Sequence, residues 1–485
     1  MLADTLLPTA ASAAQGNEFA ALLEKQRAHF QSNVRHTTAG QRIDKLNRMK
    51  KWLLDRANLD RVRTAIFNDF RKPAPEVDLY DVKPILIEIE ETKAKLHEWM
   101  SPKNVASPLL MTGTNAQIMY EPRGVGLIIG AWNFPFMLSV GPLVSAISAG
   151  CCAVVKPSEY APHTAELIAA MVSELYVEEE VAVVCGEVAT AQALLALPFD
   201  HIFFTGSPAV GKVVMHAAAE HLSSITLELG GLNPAIVDDT VSIKDVAQKI
   251  AWGKLMNCGQ SCMSINYVLA HEKIYERLLR EIPRQMECVY GKLDELHNNP
   301  DYGRIVNHKN FVRIHQLIEG SIAKGANVEW GYNIKEDENY ISPTILRDVP
   351  LDAPVMNEEI FGPVLPVLPY STLEEAVALI NAKPRSLSFY VFSASTQNTD
   401  YLLNNTNSGT ACINDTTLPF AHPHLPFGGI GNSGIGRAHG YYGFLAFSNE
   451  RAVVRQRRGV TSMKLIYPPY TTKVKQTIQL ILKYL

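Results

Sequence analysis

Apolar residues recur at three- and four-residue spacings from about Glu18 to Met100. Phe19, Leu22 and Leu23 begin this pattern, and charged residues fill the positions between such clusters. The spacing places the apolar side chains on one face of a helix, so it predicts a section of amphipathic helices. The preceding segment, Met1 to Gly16, has no Lys or Arg and no continuous apolar stretch. It predicts a loose arm and no secretory signal.

After Gly113, short apolar runs alternate with helical stretches. The first series of runs comprises Val125–Ala131, Cys151–Val155, Val181–Cys185, His201–Thr205 and Ile225–Leu229. A second series comprises Ala235–Val237, Tyr267–Ala270, Val364–Leu368, Leu387–Phe392 and Thr410–Asn414. Strands separated by helices form βαβ units, whose parallel sheets are covered on both faces. The alternation predicts an α/β fold with two parallel-sheet domains, the first being the expected place for a nucleotide.

A small β element interrupts this order. A Thr-Gly-Thr-Asn turn signal between Ser107 and Tyr120 separates two strand-like runs and predicts a hairpin. Ala452–Gln456 is also strand-like and can pair with the hairpin in the same subunit or in another. The predicted units are residues 1–106 with 121–231 (helices and nucleotide-binding domain), 232–425 (second α/β domain), 107–120 with 447–462 (hairpin and strand) and 463–485 (tail).

Composition excludes several classes of protein. The chain has 485 residues, of which 47% are hydrophobic, so it is neither disordered nor collagen-like. Its 45 basic and 49 acidic residues give a formal net charge of −4, which provides no electrostatic footprint for nucleic acid. No apolar run approaches the roughly 18 residues that span a membrane. Seven cysteines without regular spacing favour a reducing compartment, and we expect a cytoplasmic protein.

The segment from His201 to Val213 contains a glycine turn between a strand and a helix. Gly206 and Gly211 precede Lys212, and backbone amides at such a helix start bind phosphate. The spelling nearly matches the P-loop G-x-x-x-x-G-K-[ST], so a P-loop-like nucleotide hydrolase is one alternative. However, Val213 stands where that motif needs a hydroxyl for Mg²⁺. The glycines also fit a tight turn that binds no ligand.

Cys258 and Cys262 lie in the glycine-bearing loop Asn257–Cys262, after a predicted helix. A thiolate in such a loop is a strong nucleophile that a substrate can approach. The alternatives are two buried structural thiols or half of a metal site. The sequence holds no second Cys or His pair with ligand spacing, since His422-Pro423-His424 is more simply a polar turn. We therefore predict no metal.

One carboxylate, Glu228, lies within an otherwise apolar strand that ends at Gly230 and Gly231. Burial would raise its pKa toward the range of a general base. A partnered or strand-edge glutamate is the alternative. A serine nucleophile is excluded, because the segment around Ser433 lacks the second glycine of G-x-S-x-G.

Seven segments together resemble the NAD(P)-dependent aldehyde dehydrogenase family, in the expected order from about residue 20 to 450. They are Trp132-Asn133-Phe134-Pro135, Lys156-Pro157-Ser158-Glu159, Phe204-Thr205-Gly206-Ser207, Glu228-Leu229-Gly230-Gly231, Gly259-Gln260-Ser261-Cys262, Glu359-Ile360-Phe361-Gly362-Pro363 and Pro426-Phe427-Gly428-Gly429. Any one of them can arise by chance, but seven ordered matches make coincidence untenable. The short N-terminal section and the ending Tyr467–Tyr470 with its basic, apolar tail resemble the class 3 and coniferyl aldehyde branch.

The resemblance implies two Rossmann-like parallel-sheet domains, one NAD-binding and one catalytic, and a small β element for oligomerisation. Cys262 would attack the aldehyde carbon, and the Asn133 side-chain amide and the Cys262 backbone N–H would hold the oxyanion. Hydride transfer would leave a thioester, which water activated by Glu228 would hydrolyse to the acid. The resemblance further implies a homodimer acting on aromatic or medium- to long-chain aliphatic aldehydes. Candidate walls of the substrate tunnel are Trp132, Phe136 and Tyr160.

The resemblance also assigns cofactor residues. They are Lys156 and Glu159 at the adenine ribose, Gly206, Ser207 and Gly211 at the pyrophosphate, Glu359 and Phe361 at the nicotinamide ribose and ring, and Trp132. Glu159 should repel a 2′-phosphate, which favours NAD, although class 3 relatives often accept NADP as well. A catalytically idle scaffold is a further alternative, favoured only if Cys262 proves buried and unreactive.

Two departures from the family pattern stand out. Leu232 occupies a position where Lys is common, and Met263-Ser264-Ile265-Asn266 replaces an aliphatic residue followed by Ala-Pro-Asp. Asn266 thereby removes a charge, and Ile265 removes a rigid turn. The tail from Lys473 to Leu485 is helix-compatible. It can lie on a membrane surface or pack against its own chain or a partner, and its shortness favours packing.

Overall fold

The computed structural model describes residues 10–459 and 461–484. The N-terminal section is helical, as predicted, with α1 (Ala10–His29), α2 (Ala39–Leu54), α3 (Arg56–Phe70), α4 (Ala74–Glu76) and α5 (Lys83–Trp99). Short π-helical segments, Phe30–Val34 and Val77–Val82, follow α1 and α4. The prediction of a loose arm is wrong for residues 10–16, which belong to α1, because this stretch is rich in alanine, the strongest helix former. The rest of the predicted arm lies outside the described residues.

The predicted hairpin is present, but its first strand lies earlier than expected. Strands β1 (Lys103–Val105) and β2 (Thr114–Pro122) pair in antiparallel fashion, with Asn104 opposite Gln117. The segment after Ser107 forms a 3₁₀ turn, Leu109–Met111, instead of a strand.

The first parallel sheet follows the hairpin. Its elements are β3 (Val125–Ile129), α6 (Met137–Ala149), β4 (Cys152–Lys156), α7 (Pro162–Leu175), β5 (Val181–Val183), α8 (Val188–Leu195), β6 (His201–Gly206), α9 (Pro208–His221) and β7 (Ser224–Leu229). The strand order is β7-β6-β3-β4-β5, with every pair parallel. Side chains alternate along β3, so Ile128 packs with α2, α5 and α6, whereas Leu127 packs with α1, α8 and α9. Both faces are therefore covered by helices, as expected for a buried parallel sheet.

A second sheet with a parallel core confirms the second α/β unit. Its elements are β8 (Pro234–Val237), α10 (Ile243–Leu255), β9 (Tyr267–His271), α11 (Glu272–Tyr290), α12 (His308–Ala323), β10 (Asn327–Gly331), β11 (Ile334–Lys335), β12 (Tyr340–Ile341), β13 (Thr344–Arg347), α13 (Pro354–Asn357), β14 (Val364–Tyr370), α14 (Leu373–Asn381), β15 (Ser388–Phe392), α15 (Thr396–Asn405) and β16 (Thr410–Ile413). The strand order is β10-β13-β14-β9-β8-β15-β16, and only the pairing of the edge strand β10 is antiparallel within this sheet as described. Strands β11 and β12 form a separate small hairpin.

The C-terminal region joins the other units. It comprises α16 (Leu418–Ala421), β17 (Gly434–Ile435), α17 (Gly440–Ala446), β18 (Ser448–Gln456) and α18 (Thr472–Tyr484). Strand β17 extends the first sheet beside β7, and β18 pairs with β2 of the same chain. In α18 the side chains of Leu480 and Leu482 are 64% and 78% exposed, so its own chain does not cover them. Among the described residues, no helix is both long and apolar enough to cross a membrane.

Phe447 anchors this C-terminal region to the first sheet. Its ring is fully buried, lies parallel to Phe203 with centroids 6.1 Å apart, and meets His201 edge-on at 4.7 Å. It also occupies the space left by Gly126, where a Cβ would lie 2.8 Å from the Phe447 ring. The sheet and the strand β18 thus share one packed contact.

We expect Phe447→Ala to lower the free energy of unfolding by about 3–5 kcal/mol, because it removes a buried aromatic ring and leaves a cavity. Guanidinium unfolding followed by circular dichroism measures this change. Phe67→Ala is the matched control, since Phe67 is 50% exposed and its loss should cost less than about 1 kcal/mol. Equal destabilisation by the two variants would contradict the anchoring role of Phe447.

Candidate active site

The carboxyl ends of the first sheet form a crevice. The strands β4 and β6 lie on opposite sides of β3, so the loops that leave these strands diverge and open a gap between them. Ligands of α/β proteins commonly bind in such a gap. A cavity of about 570 Å³ lies there and extends to Arg313 on α12 and to the segment of Glu359 and Phe361 before β14. The crevice is therefore closed by the second α/β unit.

Most of the candidate residues meet in this cavity. Its walls include Trp132, Asn133, Gly206, Ser207, Glu228, Cys262, Glu359 and Phe361. Lys156, Glu159 and Gly211 do not line it. Lys156 Nζ instead donates to Glu159 Oε2 at 2.9 Å, and a Cβ on Gly211 would lie 2.9 Å from Leu229. Gly211 therefore allows close packing of α9 on β7.

The P-loop alternative is disfavoured by the position of Lys212. This residue is exposed and lines a surface groove between α8 and α9, away from the main cavity. The start of α9 itself faces the cavity, where Ser207 caps the helix and accepts the backbone N–H of Val210 at 3.4 Å. Free N–H groups at such a helix start suit a phosphate group. In the parts of the chain that the structure covers, no group of three His, Cys, Asp or Glu side chains could hold a metal ion.

The loop before Cys262 has an unusual backbone. Asn257, Cys258 and Gly259 have φ values of 52°, 54° and 73°, in the left-handed region that side chains other than glycine rarely adopt. At Gly259 a Cβ would clash with the Gly362 carbonyl, so only glycine fits there. Gln260 fixes the turn, since its amide donates to Arg304 O at 2.9 Å and accepts Val306 N–H at 3.0 Å. Strained loops of this kind persist at functional sites because the surroundings hold them.

Two buried asparagines hold the loop on either side. Asn233 Nδ2 donates to the carbonyls of Cys262 and Ser264 at 2.7 and 3.0 Å, while its Oδ1 accepts Ser388 N–H at 2.8 Å. Asn133 Nδ2 donates to Gln260 O at 3.1 Å. The loop is thereby attached both to β15 of the second sheet and to the segment that follows β3 of the first.

The departure at Asn266 has a clear structural role. Its Oδ1 accepts the N–H of Ile360 at 2.8 Å and its Nδ2 donates to Val355 O at 3.2 Å. Arg313 supports the same segment by donating to the carbonyls of Glu359 and Ile360 at 3.1 and 2.8 Å. Glu359 and Phe361 are therefore positioned from two sides. Arg313 escaped the sequence analysis because no contiguous motif contains it.

The electrostatics of Glu228 are those of a general base that is ready to accept a proton. Burial raises its pKa well above the usual range, and only the more distant Arg437 opposes this effect. Within the described residues neither of its carboxylate oxygens has a hydrogen-bond partner. Burying a carboxylate without a partner costs free energy, so Glu228 has a strong tendency to accept a proton.

The charges around Cys262 act against its ionisation. Burial, together with Glu359 and Glu228, raises the pKa of the thiol to about 12, although the backbone N–H groups of Cys262 and Met263 lower it. Burial also raises the pKa of Glu359 to about 7 and lowers that of Lys254 to about 7. A cation placed in the cavity would reverse the effect on the thiol.

Cys262 also lines a second, apolar cavity of about 210 Å³. Its walls include Tyr80, Phe134, Leu138, Trp252, Met256 and Phe420. The predicted tunnel residues are wrong for this cavity: Trp132 lines the first one beside Phe361, Phe136 is fully buried, and Tyr160 lies elsewhere. No local spacing reveals these walls, because they come from distant helices and loops. The thiol therefore stands where two cavities meet.

Comparison with known proteins agrees with this geometry. Residues 7–453 match the Aldehyde dehydrogenase family. The chain is 38% identical over 463 residues to the "Probable coniferyl aldehyde dehydrogenase" of Pseudomonas aeruginosa, covering 95% of this chain and 96% of that protein. It is 38% identical over 429 residues to mouse aldehyde dehydrogenase family 3 member A2, covering 88% and 87% of the two chains.

Solved structures show the same fold. The substrate-bound Staphylococcus aureus AldH superposes with a TM-score of 0.90 at 36% identity, over 96% of this chain and 99% of that one. A Mycobacterium tuberculosis aldehyde dehydrogenase complexed with NAD+ superposes with a TM-score of 0.82 at 28% identity, over 93% and 91%. With a family match over most of its length and relatives that align almost end to end, this chain belongs to the aldehyde dehydrogenase family.

Proposed function

We propose that this aldehyde dehydrogenase oxidises apolar aldehydes to carboxylic acids with NAD as hydride acceptor, using Cys262 as nucleophile and Glu228 as general base. The observation that carries the proposal is the position of Cys262 where a cavity of about 570 Å³, lined by the start of α9 and by Glu359, meets an apolar cavity. Substrate and cofactor can therefore reach the same sulfur from different cavities.

In the first half of the reaction, Cys262 loses its thiol proton to solvent and attacks the aldehyde carbon as a thiolate. The Asn133 side-chain amide and the Cys262 backbone N–H stabilise the resulting oxyanion, each donor contributing on the order of 3 kcal/mol to the barrier. Loss of hydride from this adduct leaves a thioester on Cys262. When bound, NAD accepts that hydride and brings a positive charge beside a thiol whose pKa the surrounding carboxylates raise to about 12.

In the second half, Glu228 removes a proton from a water that attacks the thioester. Its raised pKa and its unpartnered oxygens suit this task. The C–S bond breaks, which releases the acid and returns a thiolate. We assign no such role to Glu359, because Arg313 and Asn266 tie its segment to the wall of the cofactor cavity.

The cofactor fits the first cavity by its chemistry. The Ala209 N–H at the start of α9, beside Gly206 and Ser207, suits the pyrophosphate, and the buried, unpartnered Glu359 Oε1 suits a ribose hydroxyl. The aromatic pair Trp132 and Phe361, with ring centroids 5.2 Å apart, forms part of the same wall. Lys156 and Glu159, at the end of β4, are assigned to the adenine ribose, with Glu159 favouring NAD over NADP.

The two catalytic groups should separate in a transient experiment. We expect Cys262→Ala to abolish NADH formation and Glu228→Gln to retain one rapid turnover of NADH while steady-state turnover falls at least about 100-fold, because only hydrolysis needs the base. Stopped-flow absorbance of NADH with hexanal measures both phases. Loss of the rapid phase in Glu228→Gln would contradict its assignment to the second half-reaction.

The apolar cavity predicts a preference for long aldehydes. Each buried methylene contributes about 0.8 kcal/mol, so kcat/KM for hexanal should exceed that for acetaldehyde by at least about 30-fold. Leu79→Glu, at the exposed rim of this cavity, should lower kcat/KM for hexanal and leave that for acetaldehyde unchanged. Equal values for the two aldehydes in the unaltered enzyme would refute the assignment of this cavity to substrate.

We also infer a homodimer formed through the hairpin and β18. In the described chain β18 is an edge strand of its sheet, most of its residues are exposed, and Val454 is 61% exposed. An exposed strand edge is a template for pairing with another chain. The free state of all seven cysteines agrees with the reducing cytoplasm as its location.

Light scattering after gel filtration should give twice the mass of the chain. Val454→Glu should shift the protein toward the monomer, because a charge would be buried at the interface. Leu222→Glu, at a position directly after α9 that is 92% exposed, serves as the control and should leave the mass unchanged. A monomeric unaltered protein would disprove the dimer.

A further inference from the structure

A carboxylate and an imidazole form a buried pair beside the reaction centre. His439 Nδ1 lies 2.7 Å from Glu88 Oε1, and Gly440 N–H donates to the other Glu88 oxygen at 2.8 Å. Both residues are at least nine-tenths buried. Because a carboxylate only accepts hydrogen bonds, Nδ1 of the neutral ring carries the proton and Nε2 presents a lone pair.

The free nitrogen of His439 is directed at open space. Phe420 and Phe427 hold the ring edge-on, with centroids 4.7 and 5.3 Å away. Nε2 has no hydrogen-bond partner among residues 10–459 and 461–484. His439 lines both the apolar cavity and a smaller cavity of about 40 Å³ behind Cys262.

The small cavity has mostly apolar walls, but a few buried polar atoms in them lack hydrogen-bond partners. Glu228 and Thr205 both line it, and neither the Glu228 oxygens nor Thr205 Oγ1 accepts or donates a hydrogen bond in the described structure. Buried polar groups are normally satisfied by protein or by water. A water needs roughly 10–15 Å³ of such space, so the cavity has room for two or three waters.

The apolar cavity continues from His439 toward the surface. Glu88, His439 and Cys262 lie along it, and Leu79 and Leu418 at its other end are 57% and 50% exposed. His439 therefore stands between the water-sized space around Glu228 and an opening to solvent.

We propose that His439, held by Glu88, is the relay that carries the proton of each hydrolysis from Glu228 to solvent. The proposal rests on the function of Glu228 proposed above and adds a route for its proton. Glu228 takes one proton from the attacking water, and this proton passes through waters of the small cavity to Nε2. The imidazolium, stabilised by the Glu88 carboxylate, then releases that proton to water at the solvent end of the apolar cavity and returns to the neutral form.

The proton count of the reaction requires such an exit. Attack by water breaks one O–H bond and the C–S bond, and it yields the carboxylic acid and the Cys262 thiolate. The acid leaves with its own proton, and the proton on Glu228 must leave that carboxyl group before the next turnover. The hydride-transfer half of the reaction takes up no proton, so the relay serves hydrolysis alone.

Several other charged or titratable groups surround His439 and contribute to the pH dependence of the relay. Glu228 and Cys262 line the small cavity together with His439. Glu88 and Lys83 on α5 line the apolar cavity, and Arg437 lies two residues before His439 in the chain. Glu91 and His424 form a pair 3.2 Å apart toward the exterior. Arg437 donates to the carbonyls of Gly429 and Gly436, so it is held in place by the backbone beside the relay.

The test compares His439→Asn, Glu88→Gln and a control, His424→Asn, in the full-length enzyme with NAD and hexanal. Asparagine has a β-carbon as histidine does, so it meets the same backbone constraint at residue 439, but it cannot relay a proton. We expect His439→Asn to keep a rapid phase of one NADH per site, to lose about tenfold or more in steady-state kcat, and to regain turnover when imidazole buffer is added. Glu88→Gln should lower kcat in the same phase, and His424→Asn should behave as the unaltered enzyme, with no response to imidazole.

Two results would overturn the relay. One is a His439→Asn enzyme whose steady-state kcat and pH profile stay within twofold of those of the unaltered enzyme. The other is an equal loss of the rapid and steady phases without imidazole rescue, which would give His439 a packing role only. Failure of the proposed function looks different, since the unaltered enzyme would then form no NADH with hexanal. If His439→Asn does not fold, Glu88→Gln decides: the relay requires a lower steady-state kcat with an unchanged rapid phase, and an unchanged kcat overturns it.

Discussion

The candidate active site depends on one strained loop that lies between the two parallel sheets. Three successive residues before Cys262 have left-handed backbone conformations, which a free loop would not maintain. Asn233 ties this loop to β15, Gln260 ties it to the segment of Arg304 and Val306, and Asn133 ties it to the first sheet. The sulfur is thus fixed at the point that both cavities reach, and every later feature of the site depends on that position.

The same burial that positions the thiol creates an electrostatic conflict. Cys262, Glu228 and Glu359 are enclosed together, and burial raises the pKa of each. Such a cluster of unpaired acids costs stability, and it becomes useful only when a positive charge, a hydroxyl or a water enters. The cluster is therefore built for ligands, in keeping with the general finding that functional sites break the rules that stabilise the rest of a fold.

Burial and connectivity explain why some elements could be predicted and others could not. The parallel strands are continuous apolar runs because helices cover both faces of each sheet, and such runs are visible in the sequence. The candidate catalytic segments could also be found in the sequence, because each candidate side chain lies in the same short motif as the glycine turn or loop that positions it. Arg313, Asn266 and His439 act on residues far away in the chain, so nothing near them in sequence reveals their partners. Gly211 belongs to a motif that indicates phosphate binding, and the structure adds that its lack of a side chain allows close packing against Leu229.

The sequence by itself determined the α/β class, the order of the elements, the family resemblance and the identity of the thiol and the base candidate. These properties reside in local periodicity and in short contiguous motifs. Only the tertiary structure decided which walls surround the thiol, that β18 pairs with β2 of its own chain, and that a Glu88–His439 pair stands beside Glu228. The physical reason is that cavities and buried charges arise where distant segments exclude water together, and no single segment contains that information.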